Sequence, residues 1–329
     1  MLPRIPRRSC QSLRLGAAVL FTVALFGVVA CSGDDTASEE SGTITRYNVD
    51  PKLAPIALAA APDGSVWFVE DPGASIAHLQ IDGAISRTEL GDVAGGVGAI
   101  APSDDGVWFT ETEGNDVGHI DADGTLTTVS DLGIGGPVSR ITASGDAVLV
   151  ASDVVGTVAV IKGDEVATVT LDEPNAGVQS VASGPDGSFW LYQTGTSAIL
   201  SISDDGTTRS YALPNADSEP VVMASDDNGE LWFTQSAPDQ LGHLDRAGTI
   251  TEVDFPDADR HPVLIAGGSS GLWYTEPDET RVGRVTIDGD ITEYDVPSAE
   301  QTPVLIAAGD EGALWYAESD GAHVSRIAP

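Results

Sequence analysis

Past position 31 this chain of 329 residues has no cysteine; the two it contains are Cys10 and Cys31. Whatever folds beyond that point therefore has no disulfide, no thiolate metal site and no cysteine nucleophile. Basic residues are scarce as well. Fifteen lysines and arginines face 51 aspartates and glutamates, a formal charge of −36, and only Lys52 and Lys162 are lysines. No stretch of the remaining chain concentrates positive charge, so a phosphate backbone would be repelled and nucleic acid is excluded as a partner. Long apolar runs are limited to one, Leu15–Ala30. It falls short of the roughly 20 residues of a membrane-spanning helix. The chain also lacks a glycine-rich phosphate loop and an HExxH pair.

The single apolar run follows Arg4, Arg7, Arg8 and Arg14 and ends Val28-Val29-Ala30-Cys31. A basic start, an apolar middle and small residues before a cut describe a secretory signal. Because a cysteine stands at the end of the run, residues 1–30 resemble a bacterial lipoprotein signal, with Cys31 as the lipidated residue. Residues 31–42 are small, polar and acidic and have nothing to bury, so they are expected to form a flexible tether. The expected location is outside the cytoplasm, held to the membrane through a lipid anchor only.

What the rest of the chain does have is a repeat. Trp67, Trp108, Trp190, Trp232, Trp273 and Trp315 recur in strongly alternating segments, and Leu149 marks the midpoint of the one double gap. The seven marks are 41 or 42 residues apart. Each unit holds a small-residue apolar strand, an acidic-glycine turn such as Asp63-Gly64, a tryptophan strand, a third strand, a second Asp-Gly turn and a Thr-rich fourth strand. Glycine supplies the positive φ that tight hairpins need. Four short antiparallel strands in about 41 residues make one propeller blade. The fold class is therefore all-β: a seven-bladed β-propeller over 43–329. The chain opens on a fourth-type strand, 43–49, and ends on a third-type strand. The N-terminal strand is thus expected to complete the last blade and close the ring. The tryptophans are expected to fill the wedges between blades.

The units LWFTQSAPDQLGHLDRAGTITEVDFP (231–256) and LWYTEPDETRVGRVTIDGDITEYDVP (272–297) closely resemble the repeats of the streptogramin B lyases, the virginiamycin B lyase family. The resemblance covers residues 43–328. It implies a seven-bladed propeller and an enzyme that opens a cyclic depsipeptide antibiotic by elimination at its ester, using magnesium and a histidine base. It places that chemistry on the face where first strands begin and second strands end. The family's two histidine positions correspond to Val263 and Val304, and its two metal-binding glutamates to Thr302 and Ser319. Valine cannot remove a proton. Residue by residue, the lyase mechanism does not carry over.

Near neighbours allow a shifted site, with His261 as base and Glu300 and Glu318 on a divalent ion, magnesium or calcium. The residue three past each mark is Glu70, Glu111, Ser152, Gln193, Gln235, Glu276 and Glu318 in turn. Glu276, Glu318, Glu70 and Glu111 fall on consecutive blades and could form an acidic ligand-binding rim together with Glu300. Alternatively, each glutamate holds its own loop or pairs with an arginine. His78, His119 and His243 share the repeat position of Arg284 and Arg326, so they read as structural; His323 reads as an exposed loop end. Three functions stay open: a surface module binding a small molecule or peptide, a divergent lyase or hydrolase, and a partner of another envelope protein.

Overall fold

The structure is a computed structural model and describes residues 42–328 except 92, 94, 216–219, 237–238, 254–262, 269–270, 277–279, 287 and 298–301. Residues 1–41, with the expected signal, Cys31 and most of the tether, lie outside the described residues. Among the described residues no helix is long and apolar enough to cross a membrane.

Among the described residues the alternating repeats form 28 strands in seven four-stranded antiparallel sheets. Blade 1 is typical, with strands Pro55–Ala60, Val66–Glu70, Ser75–Leu79 and Ile85–Glu89 paired in sequence order. The small-residue first strands lie innermost, and each runs beside the first strand of the next blade until the seventh meets the first. Second strands are buried along their whole length where both faces are covered by neighbouring blades, as in Val66–Glu70 and Leu314–Glu318. The Thr-rich fourth strands are largely exposed at the rim, as in Ile85–Glu89.

The ring closes as the strand count requires. Thr43–Asn48 pairs antiparallel with His323–Ala328, from Thr43 opposite Ala328 to Asn48 opposite His323. It becomes the fourth strand of blade 7, whose other strands are Pro303–Ala308, Leu314–Glu318 and His323–Ala328. The seam is also held between blades. The Trp315 indole donates to the Gly64 carbonyl at 3.2 Å, and the Tyr47 hydroxyl donates to the Ile81 carbonyl at 2.7 Å.

The core lies between the sheets. Trp67 packs on Phe109 of blade 2, Trp190 on Phe233 of blade 5, Trp232 on Tyr274, Trp273 on Tyr316, and Trp315 on Phe68 across the seam. That second aromatic lies over a residue with little or no side chain in the third strand. A Cβ on Gly118 would come 2.0 Å from Phe109, and one on Gly242 or Gly283 2.1 Å from Phe233 or Tyr274. Blade 3 departs from this rule: it offers Val148 and Val150 to Trp108. In the turns, Gly64 adopts φ 83° as hairpin geometry demands.

Candidate functional site

First-strand starts and second-strand ends meet on one face because the strands are antiparallel. Pro55 lies opposite Glu70, Val97 opposite Glu111, Val178 opposite Gln193, Pro220 opposite Gln235 and Pro303 opposite Glu318. The register slips directly after each of these pairs, so a bulge opens every one of these first strands at the same height.

The repeated position three past each mark is not an open rim. Glu70, Glu111, Ser152, Gln193, Gln235 and Glu318 are all buried, and Glu276, just past the second strand of blade 6, is half-buried. Glu70 and Glu318 pair with arginines. Glu70 accepts from Arg87 Nε at 2.7 Å and from Ser75 Oγ at 2.7 Å. Glu318 accepts from Arg46 Nε at 2.9 Å and from Ser325 Oγ at 2.8 Å. Gln193 ties down its loop instead, donating to the carbonyls of Glu173 and Ala176. Arg46 and Arg87 hold equivalent fourth-strand places, opposite Ser325 and Ala77. Blade 2 has Thr128 there, opposite Gly118, so Glu111 is buried without an arginine from its own outer strand.

Glu318, Asp320 and His323 bring one ligand atom each within 4.8 Å of one another. The cation already among them is the Arg46 guanidinium. Its second terminal nitrogen contacts Glu318, Asp320 at 3.4 Å and His323 Nδ1 at 3.0 Å, and His323 Nδ1 lies 2.7 Å from Asp320. The hydrogen bond to Glu318 raises the Arg46 pKa further above its ordinary value. Burial pushes the Asp320 carboxyl upward, but the Ala322 N–H, His323 and Arg46 outweigh it and hold the group below the usual carboxylate range. Sequence reasoning placed His323 where a loop meets the last third-type strand, and exposed; it does open the third strand of blade 7, but with its side chain only 19% exposed. Pairing with the N-terminal strand leaves it half-buried, an interaction across more than 270 residues that local sequence does not reveal.

The two positions of the family's metal glutamates do converge. The Thr302 N–H donates to Ser319 Oγ at 3.0 Å, and the Ser319 N–H donates to the Thr302 carbonyl at 2.9 Å. Magnesium favours carboxylates and ordered water, and these positions offer two hydroxyls, while the carboxylate of the adjoining residue, Glu318, is turned to an arginine. The described residues at these positions do not fit the metal. His261 and Glu300 lie outside the described residues, so of the shifted site only Glu318 is placed.

The family's histidine positions carry apolar groups that face outward. Val263 is 49% exposed and Val304 42%. Ile56, the bulged residue in the first strand of blade 1, is 44% exposed. The three stand at the opening of first strands on consecutive blades 6, 7 and 1, which lie side by side. The sequence reading registered both valines as losses of a base. It missed that Ile56 extends them into an apolar arc, because blade neighbourhood across the seam is not contiguous in sequence.

His78, His119 and His243 are spread over three blades, each opposite its own tryptophan in the strand register, as are Arg284 and Arg326. His78 stacks on Trp67 at 3.8 Å between centroids and contacts Ser65 Oγ at 2.6 Å. His243 lies 3.1 Å from Glu230 and 4.6 Å from the Trp232 ring. These are blade braces. Burial lowers the His78 pKa, with Asp63 partly opposing it.

The sequence profile of the virginiamycin B lyase family matches residues 35–149 and 135–329. No curated protein matches the chain. Among solved structures, virginiamycin B lyase from Staphylococcus aureus superposes with a TM-score of 0.73 at 23% identity, over 87% of this chain and 99% of that one. A catalytically inactive form of that lyase with quinupristin gives the same values. YCF48 bound to a D1 peptide superposes at 0.66 with 12% identity, over 88% of this chain and 96% of that one. At these identities the superpositions speak for the fold, and with the profile spanning nearly the whole ring the chain belongs to the virginiamycin B lyase family.

Proposed function

We propose that this propeller is a binding module rather than a lyase, and that it takes a peptide or depsipeptide carrying apolar side chains on the face where its first strands begin. The observation that carries this reading is the outward-facing arc Val263, Val304 and Ile56, at 42–49% exposure, whose two valines stand where the family's chemistry calls for histidines. Contiguous exposed apolar groups on a rigid scaffold mark interaction sites. The Arg46–Glu318 pair and the Thr302–Ser319 contact support the same reading, since both occupy polar groups that a metal-assisted elimination would need free. Relatives in fold are described with quinupristin and with a D1 peptide. The run Leu15–Ala30 before Cys31 supports presentation outside the cytoplasm on a lipid anchor.

Quinupristin is a suitable probe. Isothermal titration should show saturable binding, and mass spectrometry with magnesium present should show the ring intact. The double substitution Val263→Asp with Val304→Asp should weaken binding at least tenfold. Ring opening above the uncatalysed rate would favour the divergent enzyme instead, and absence of binding would remove this ligand class. Incorporation of labelled palmitate, lost in Cys31→Ser, tests the anchor.

A further inference from the structure

On the end of the ring opposite that face, where the first-to-second and third-to-fourth turns lie, a cleft of about 680 Å³ opens between blades 2 and 3. Its origin is the departure of blade 3 from the repeat. Five of the six tryptophans are at most 4% exposed, each covered by an aromatic or a leucine-rich sheet of the following blade. Trp108 alone is only partly buried, because the following blade presents Val148, Val150 and Ile161. The indole therefore forms a wall of the cleft, with Val148 and Ile161 beside it.

The entrance is acidic. Asp104, Asp105, Asp146 and Asp164 come from the turns of the two blades, and all four are exposed. Lys162 approaches Asp146 at 3.4 Å, yet makes its shorter contact, 2.8 Å, with Asp204 of blade 4. His119 lies against the Trp108 ring at 4.6 Å and contacts Asp105 at 3.2 Å. The volume falls in the range of small-molecule sites, about 300–1,000 Å³. An indole face attracts cations, most strongly where carboxylates add to the field. A chain with 51 acids and 15 bases draws positive solutes toward it from a distance.

We propose that this cleft binds a small organic cation with an apolar body, an alkyl- or arylammonium compound, its positive group over the Trp108 indole and among the aspartates of the two blades. The geometry needs three things together: the unfilled wedge, the part-exposed indole and the acidic turns. A smaller cleft of about 410 Å³ lies between blades 1 and 2, but there Trp67 is only 4% exposed and Arg87 stands in the wall, so among the described clefts the three come together at Trp108.

The test uses the full chain and benzyltrimethylammonium, with benzyl alcohol as the uncharged counterpart. Titration calorimetry should show saturable binding of the ammonium compound and at least tenfold weaker binding of the alcohol. Added salt should weaken the former. Trp108→Leu should reduce affinity at least tenfold. Thr127→Arg, at an exposed position lining the cleft, places a tethered cation there and should abolish binding without a change in circular dichroism. Should Trp108→Leu fail to fold, the Thr127→Arg result decides. Equal response to the alcohol, no saturation by the wild-type chain, or full affinity in a folded Thr127→Arg protein would each overturn the proposal.

Discussion

The Arg46 guanidinium is shared by Glu318, Asp320 and His323, and Glu318 is only 2% exposed. Removing the arginine leaves a buried carboxylate without its counter-charge; because Arg46 itself is 33% exposed, solvent reduces the cost from that of a fully buried pair to about 1–3 kcal/mol. Arg46→Ala is expected to lose that much stability in urea denaturation, and Glu318→Gln made on top of it should recover part of the loss. If the single substitution is neutral, the pair is not buried in the way described. His78 gives a pH signature. Its folded pKa lies below the ordinary histidine value of 6.5, chiefly through burial. The unfolded chain then binds a proton that the folded one refuses, so the stabilising contribution is full above about pH 6.5 and is lost as pH falls through the folded pKa. His78→Asn should flatten the decline in melting temperature between about pH 6.5 and 5, measured by calorimetry. Both residues recur at repeat positions visible in the sequence. Which glutamate meets an arginine was not, because Arg46 reaches Glu318 only through closure of the ring, whereas Arg87 and Glu70 share one blade.

Within a blade, the third strand yields to the aromatic that follows the tryptophan. Gly242→Val would drive side-chain atoms into Phe233, already 2.1 Å from where a Cβ would stand. Overpacking of this kind costs about 1–3 kcal/mol. The expected outcome is a lower melting temperature with an unchanged far-ultraviolet spectrum; a neutral result would mean that the ring has room to move. The strand order was legible in the sequence, since turn residues and alternation repeat seven times and each repeat supports the others. Blade 3 was recognisable as degenerate from Leu149 standing in place of a tryptophan. Its effect was not, because a missing side chain leaves no mark in the sequence beyond its absence. The surface left part-exposed belongs to Trp108, on the blade before.

At the scale of the ring, the seam carries a strand pairing, the Trp315 and Tyr47 hydrogen bonds and the Arg46 pair, all between residues more than 30 apart in sequence. Deleting residues 43–49 should therefore lower the unfolding midpoint of the whole molecule as a single transition. Independent fraying of blade 7 alone, seen as a separate early transition, would contradict this. The seven-fold count and the closing strand were both readable from spacing and strand arithmetic. The apolar arc was readable only in part, as two valines where a base was wanted.

The antiparallel seam also sets how the molecule responds to load. Thr43 and Ala328 are direct partners, so both ends of the described chain emerge side by side at the same end of the outermost pair. Tension between the termini acts across the hydrogen bonds one after another, like a zipper, and not along them in shear. Optical-tweezer extension through the two ends should open this strand first and at low force, and pulling through residues on blades 2 and 5 should meet much higher resistance.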